Sequence, residues 1–317
     1  MAELGNEDAL IANLRGKGES TTPLKDLVKT LPLRVLSPAD WDHWTTKGHV
    51  VVKDAVPREN LSRLVDLLWE FQEMDPNDPE TWYRPQLRHN EMTALNNSGM
   101  VEIYNHQHLW DNRQHPRLYD AFVDIWDRED LWVKIDRANH NPPNRGVREF
   151  NGFIHCDIDT SLVPLPINVQ GVLSLVDTDP EMGGFQCVPE LFRTLEEWIK
   201  AQPEGRDPWA PDTTGFEVVD VSMKAGDLLI FNSLLPHGIR PNRSADRVRM
   251  AQYITLRPAE ESNAELLDWR IRSWRDREAP QGHAFPGDPR DWERTRHERA
   301  ELTPLGEKLL GLRSWYA

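Results

Sequence analysis

Two hydrophobic periods run along this chain, and one gives way to the other near residue 100. Ser37-Pro38-Ala39-Asp40 predicts a helix start: Ser caps, Pro suits the first turn, and Asp sits at the positive end. Gly48 then marks its stop. HVVVKDAV follows, β-branched and apolar, and reads as a strand. Pro57 opens a second helix, with Leu61, Leu64, Val65, Leu68 and Phe71 spaced by three and four, ending near Asp75-Pro76. From about residue 100 the pattern shortens. VEIYN, LWVKIDRAN, GFIHCDID, INVQGVLSLVD, GGFQCVP, FEVVDVS, GDLLIFN and VRMAQYITLRP read as short strands between Pro, Gly, Asn and Asp turns. Leu191–Lys200 predicts a helix inserted among them. Many short strands behind a helical layer imply a mainly β fold with flanking α-helices, a sandwich or jelly roll.

The flanks differ from this core. Residues 1–36 are polar and weakly patterned, and read as an N-terminal arm. After Pro258 the chain turns rich in Arg, Glu and Trp (NAELLDWRIRSWRDRE, then DWERTRHERAE), which predicts a helical C-terminal extension over 259–317, packed on the same domain. The domain proper is then 37–258.

Composition narrows the function classes. The chain has 317 residues and a net charge of −15, which disfavours nucleic acid and anionic membrane as partners. No apolar run approaches the roughly 20 residues of a membrane span, and the start lacks a basic segment leading into an apolar one. Cys156 and Cys187 are too few for a disulfide framework. A reduced, cytoplasmic setting is the expectation, with a small-molecule substrate and a monomer or homodimer. Thirteen Trp predict core packing, with some available to wall an apolar cavity.

His155 and Asp157 carry the chemistry. On a strand, positions i and i+2 share a face, so both side chains reach one metal while Cys156 turns away. His237 follows the apolar run LLIF in a Pro-His-Gly turn and completes two His and one carboxylate, the facial set of non-haem Fe(II) oxygenases. The same ligands also suit Zn or Mn, so a cupin-type metalloenzyme of non-oxidative chemistry stays open, as does a non-catalytic ligand-binding relative. Arg243, Arg247 and Arg249 come next, and Arg247 and Arg249 share a strand face. An arginine there can pair with a carboxylate through two bonds. Gln170 and Lys134, on predicted strands, are further candidates for co-substrate carboxylates. The loop ANHNPPNRGVREFNG suits a lid, and its Arg145 and Arg148 could hold an anionic substrate.

The chain resembles the phytanoyl-CoA dioxygenase family of Fe(II)- and 2-oxoglutarate-dependent oxygenases. SPADWDHWTTKGHVVVKDAV resembles the family's opening helix and strand, HCD its His-x-Asp motif, GVLSLVDTDPEMGGFQCVPELF its run into a Gly-rich turn, and HGIRPNRS with a later arginine its closing motif. The likeness spans about 37–257. It implies a double-stranded β-helix core, cupin-like in layout, with iron on His155, Asp157 and His237. It implies 2-oxoglutarate gripped at its far carboxylate by Arg249, or by Arg247 as the fallback, and O2 as oxidant. Pro189-Glu190-Leu191-Phe192 stands where the family has Pro-Gly-Ser-His, a departure on the substrate side. The intact Asp157 favours hydroxylation over halogenation, since related halogenases lack that carboxylate. The expected reaction is hydroxylation of an unactivated C–H in a small metabolite or natural-product intermediate, with release of succinate and CO2.

Overall fold

The computed structural model describes residues 24–84, 99–146, 150–281 and 285–316. The first helix forms as its caps dictate. In α1 (Pro38–Lys47) the Ser37 side chain accepts from the Asp40 N–H while the Asp40 carboxylate accepts from the Ser37 N–H. Gly48 closes it with φ 77, where a Cβ would press 2.9 Å from the Phe192 ring. Strand β1 (His49–Val52) follows, then α2 (Arg58–Phe71), which buries Leu61, Leu64, Leu67, Leu68 and Phe71. Residues 29–36 are held against the body by two carboxylates. Buried Asp124 accepts from the N–H groups of Arg34, Val35 and Leu36, and Asp127 from those of Thr30 and Leu31.

Next come β2 (Met100–Val101), α3 (Gln107–Arg113), α4 (Pro116–Trp126), β3 (Leu131–Val133) and β4 (Ala138–Asn141). The barrel half continues with β5 (Val169–Ser174), β6 (Gly184–Cys187), α5 (Pro189–Ala201), β7 (Val219–Asp220), β8 (Leu228–Asn232), β9 (His237–Arg240), β10 (Arg249–Tyr253) and β11 (Leu256–Pro258). The C-terminal helices are α6 (Ala264–Asp276), α7 (Trp292–Arg296) and α8 (Pro304–Leu310). The strands make an antiparallel sheet in the order β1-β8-β5-β10-β4-β2, a smaller sheet β7-β6-β9, and the pair β11-β3. The expected jelly roll is present as two antiparallel sheets with side chains packed between them.

Alternation decides what each face does. Leu228, Ile230, Val169, Leu173 and Met250 pack outward against the helices. Their neighbours Leu229, Phe231, Val172 and Ala251 turn inward, meeting Phe185 and Cys187 of the small sheet. The register fixes who stands beside whom: Gln170 opposite Phe231, Val172 opposite Tyr253, Ala251 opposite Asn139, Arg249 opposite Asn141. One inner face therefore carries Gln170, Tyr253, Arg249, Asn139 and Asn141.

Several expected strands contract. VEIYN keeps only Val101, the last residue of β2, and FEVVDVS only Val219–Asp220. GFIHCDID is not a strand; a single antiparallel bridge joins His155 to His237. The stretch read as a lid begins inside the sheet, since Ala138–Asn141 is β4 and fully buried. Its polar composition reflects inward-facing asparagines rather than solvent.

Candidate metal centre

The His155–His237 bridge builds the site. The His155 N–H donates to the His237 carbonyl at 2.8 Å, and the His237 N–H returns the bond at 2.9 Å. The two imidazoles meet with centroids 4.6 Å apart. Close approach of the backbones is possible because the next residue is Gly238, where a Cβ would lie 1.9 Å from the Phe153 carbonyl oxygen. Asp157 sits two residues beyond His155, its Oδ1 3.2 Å from His155 Nε2 and its Oδ2 3.1 Å from His237 Nε2. One ligand atom from each of the three lies within 4.8 Å of the others, the group of this kind found among the described residues.

Electrostatics suits a cation. Burial opposes charge on Asp157, but the His237 and His155 rings hold its carboxyl well below the usual range. For His237, burial disfavours the imidazolium, yet the Asp157 carboxylate raises its pKa above the ordinary value. His237 Nδ1 stands 2.8 Å from the Leu235 carbonyl, which can only accept, so Nδ1 carries the proton and Nε2 presents its lone pair to the site. Phe185 and Phe231 pack on the His237 ring at 5.4 and 4.4 Å. Cys156 points away as expected, buried, with its thiol pushed up to about 12 by desolvation.

The loop after Asp157 is pinned from outside. Arg206 donates to Thr160 Oγ1 at 2.7 Å and to the Thr160 carbonyl at 2.8 Å, and the Cys156 N–H donates to the Trp209 carbonyl at 2.8 Å. Phe153 is 62% exposed with its ring 4.8 Å from His155.

The remaining candidates separate. Gln170 projects to the metal ligands, its Nε2 donating to Asp157 Oδ2. Arg249 opens β10, 2% exposed, with Nη1 donating to Asn139 Oδ1 at 2.7 Å. The Tyr253 hydroxyl is buried beside it, pushed up by desolvation and drawn back by the Arg249 charge. Both side-chain amide atoms of Asn141 are buried without a hydrogen-bond partner, as is the Tyr253 hydroxyl oxygen. Arg247, the fallback, is turned to the surface, paired with Asp179 and, at 2.9 Å, with Glu181; the strand alternation begins only at Arg249, so the shared face expected for the two arginines does not form. Lys134 lies just past β3, its ammonium 3.8 Å from Asp136 and its N–H on the Thr255 carbonyl. Arg145 is exposed, donating to the Ala245 carbonyl at 2.7 Å and lying over Tyr83. Arg148 falls outside the described residues.

Sequence reasoning missed Asn139, Asn141 and Tyr253. Their signal was present: ANHN and RMAQY alternate with a period of two, and the polar positions share the face of Arg249.

The sequence pattern of the phytanoyl-CoA dioxygenase family matches residues 44–251. The chain belongs to that family. As a phytanoyl-CoA dioxygenase family member it is a 2-oxoglutarate-dependent oxygenase, and its His-Asp-His group could hold a metal ion. Among curated relatives it is similar to the Ava biosynthesis cluster protein O of Aspergillus versicolor, 22% identical over 254 residues, covering 72% of this chain and 80% of that one. A Dictyostelium discoideum protein, provisionally named phytanoyl-CoA dioxygenase, is 25% identical over 68% of this chain and 74% of its own. The crystal structure of a provisionally named oxidoreductase of Salmonella typhimurium LT2 superposes with a TM-score of 0.64 at 16% identity, covering 87% of this chain and 83% of that one; likeness at this identity speaks to the fold.

Proposed function

We propose that this oxygenase hydroxylates an unactivated C–H of a small organic metabolite or natural-product intermediate. The observation that carries the reading is the pairing of the His155–Asp157–His237 group with a second, buried polar socket on the same inner face. Beside buried Arg249, the Asn141 amide and the Tyr253 hydroxyl leave buried polar atoms without partners, which costs free energy unless a polar group fills the space. A carboxylate fits that socket: Arg249 supplies charge and paired donors, and the Asn141 amide and Tyr253 hydroxyl supply neutral ones. The far carboxylate of 2-oxoglutarate is such a group, and its 2-oxo acid end would then lie toward the metal ligands.

In this reading His155, Asp157 and His237 hold the iron, and Arg249 orients the co-substrate. Bound iron, with 2-oxoglutarate and O2, supplies the oxidation, in which the substrate C–H becomes C–OH and 2-oxoglutarate leaves as succinate and CO2. Phe185 and Phe231 keep water off the inner side of His237. Phe153, exposed beside His155, supports a substrate with an apolar or ring-bearing body next to the reacting carbon. A hydrolytic zinc or manganese enzyme has no use for the Arg249 socket, which is why the oxidative reading is preferred.

The test is anaerobic. Protein with Fe(II) and 2-oxoglutarate develops the weak visible charge-transfer band of a chelated 2-oxo acid, and His155→Ala and Asp157→Ala abolish it. An absent band in the parent protein overturns the reading. Succinate release in the presence of candidate substrates then ranks substrate classes.

A further inference from the structure

Asp157 is the one metal ligand whose orientation its own backbone leaves loose. His155 and His237 are locked by the bridge between them, and His237 again by the Leu235 carbonyl. Asp157 lies past the bridge, in a bend, and the torsion that turns a carboxylate about its own axis is broad and nearly two-fold. Nothing in that torsion decides whether one oxygen or both face the metal.

The decision matters for the reaction. A metal held by two imidazoles and a single carboxylate oxygen would keep positions for a chelating 2-oxo acid and for O2. A carboxylate using both oxygens removes one of these. A group that engages one oxygen of Asp157 therefore protects the open positions, and the structure contains it. Gln170 is the second residue of β5, with Val169 turned outward into the helix-facing core, so alternation drives Gln170 inward. Its Nε2 donates to Asp157 Oδ2, the oxygen 3.1 Å from His237 Nε2, while Oδ1, 3.2 Å from His155 Nε2, receives no amide. The nitrogen assignment is settled by chemistry, since an ionised carboxylate can only accept. β5 is central in the six-stranded sheet and Gln170 is opposite Phe231, whose ring packs on His237. The amide is thus anchored to the same rigid wall as the distal histidine.

We infer that Gln170 is a positioning residue for the iron-binding carboxylate: it holds Asp157 Oδ2 and leaves Oδ1 as the metal-facing oxygen, so that chelation by 2-oxoglutarate remains possible. The inference rests on the iron-site reading above. Gln170 does not touch the reacting atoms; it acts through Asp157.

Gln170→Met keeps length and bulk but removes the donor, and Gln170→Glu replaces the donor with a second carboxylate beside Asp157. The measurements are Fe(II) affinity by anaerobic equilibrium dialysis, 2-oxoglutarate titration of the metal-loaded protein through its charge-transfer band, and the melting temperature of the metal-free protein. Gln170→Met is expected to weaken Fe(II) binding by about 10- to 100-fold at an unchanged melting temperature, and Gln170→Glu to weaken it further. Fe(II) affinity within about twofold of the parent overturns the inference, and so does a loss confined to 2-oxoglutarate affinity, which would make Gln170 a co-substrate contact. Should Gln170→Met lower the melting temperature, Gln170→Leu and Gln170→Asn are read in the same assays: the inference requires metal affinity to fall in both, because neither can reach Asp157 with a donor. Undiminished Fe(II) binding by His155→Ala would instead overturn the iron site itself, a separate outcome.

Discussion

At the scale of single residues, Arg249 and Arg247 show how little sequence distance says about role. They are two positions apart; one is 2% exposed on the inner face and the other is turned to the surface between Asp179 and Glu181. Replacing Arg249 by Ala removes a charge-assisted contact of about 1.5–3 kcal/mol. The concentration of 2-oxoglutarate needed for half-maximal turnover should then rise roughly 10- to 150-fold, with metal affinity little changed. Arg247→Ala breaks exposed ion pairs worth about 0–1 kcal/mol, and steady-state titration with 2-oxoglutarate should place it within about twofold of the parent. His155, Asp157 and His237 were legible because metal-ligand chemistry restricts residue type. The partner of Gln170 was not, because a strand position states a face and not a contact.

Elements divide by whether their instructions are local. Helix α1 was readable end to end, since Ser37, Pro38, Asp40 and Gly48 act within a turn of the ends they control. Ser37→Ala should cost about 1 kcal/mol and lower the melting temperature by a few degrees in a calorimetric scan. Strands need a partner, and the segment GFIHCDID shows the consequence: its apolar start reads as a strand, yet it is held by one bridge to β9 and by the Trp209 carbonyl and Arg206. Gly238 is the element-scale control on that bridge. Gly238→Ala places a methyl 1.9 Å from the Phe153 carbonyl oxygen, so the His155 segment must move off β9. Fe(II) affinity should drop by at least tenfold, roughly the scale set for lost ligand support, while far-ultraviolet circular dichroism stays near the parent spectrum.

At the scale of the whole molecule, the C-terminal helices are fastened to the barrel through buried groups. Arg270 of α6, 1% exposed, donates to the carbonyls of Val133, Leu309 and Leu310 at 2.7, 2.9 and 3.1 Å. Two buried titratable groups tie this region to α3 and give stability opposite slopes with pH. Burial, then the neighbouring His297 and His108, lowers His106 to about 3. Between pH 6.5 and about 3 the unfolded chain binds a proton there that the folded one refuses, so stability falls as pH falls through that window. Burial raises Glu293 to about 7 against the opposing N–H groups of Tyr104 and Asn105. Between pH 4.5 and about 7 the folded state keeps a proton that the unfolded state has lost, so its stability falls as pH rises. Melting temperatures recorded across pH should show the acid limb flattened in His106→Gln and the limb from 4.5 to 7 flattened in Glu293→Gln.

By itself the sequence determined the chemistry and the class of fold. Metal ligation admits few residue types, helix caps act locally, and alternation of polar and apolar positions names the faces of strands. Tertiary structure alone decided which faces meet. The register of β5, β10 and β4 put Arg249 beside Asn139, Asn141 and Tyr253, and brought Gln170 to Asp157 across thirteen residues of sequence. It also turned Arg247 out of the site. Those outcomes depend on long-range pairing, in which a shift of one residue would exchange every inward side chain for an outward one, and no local pattern carries that information.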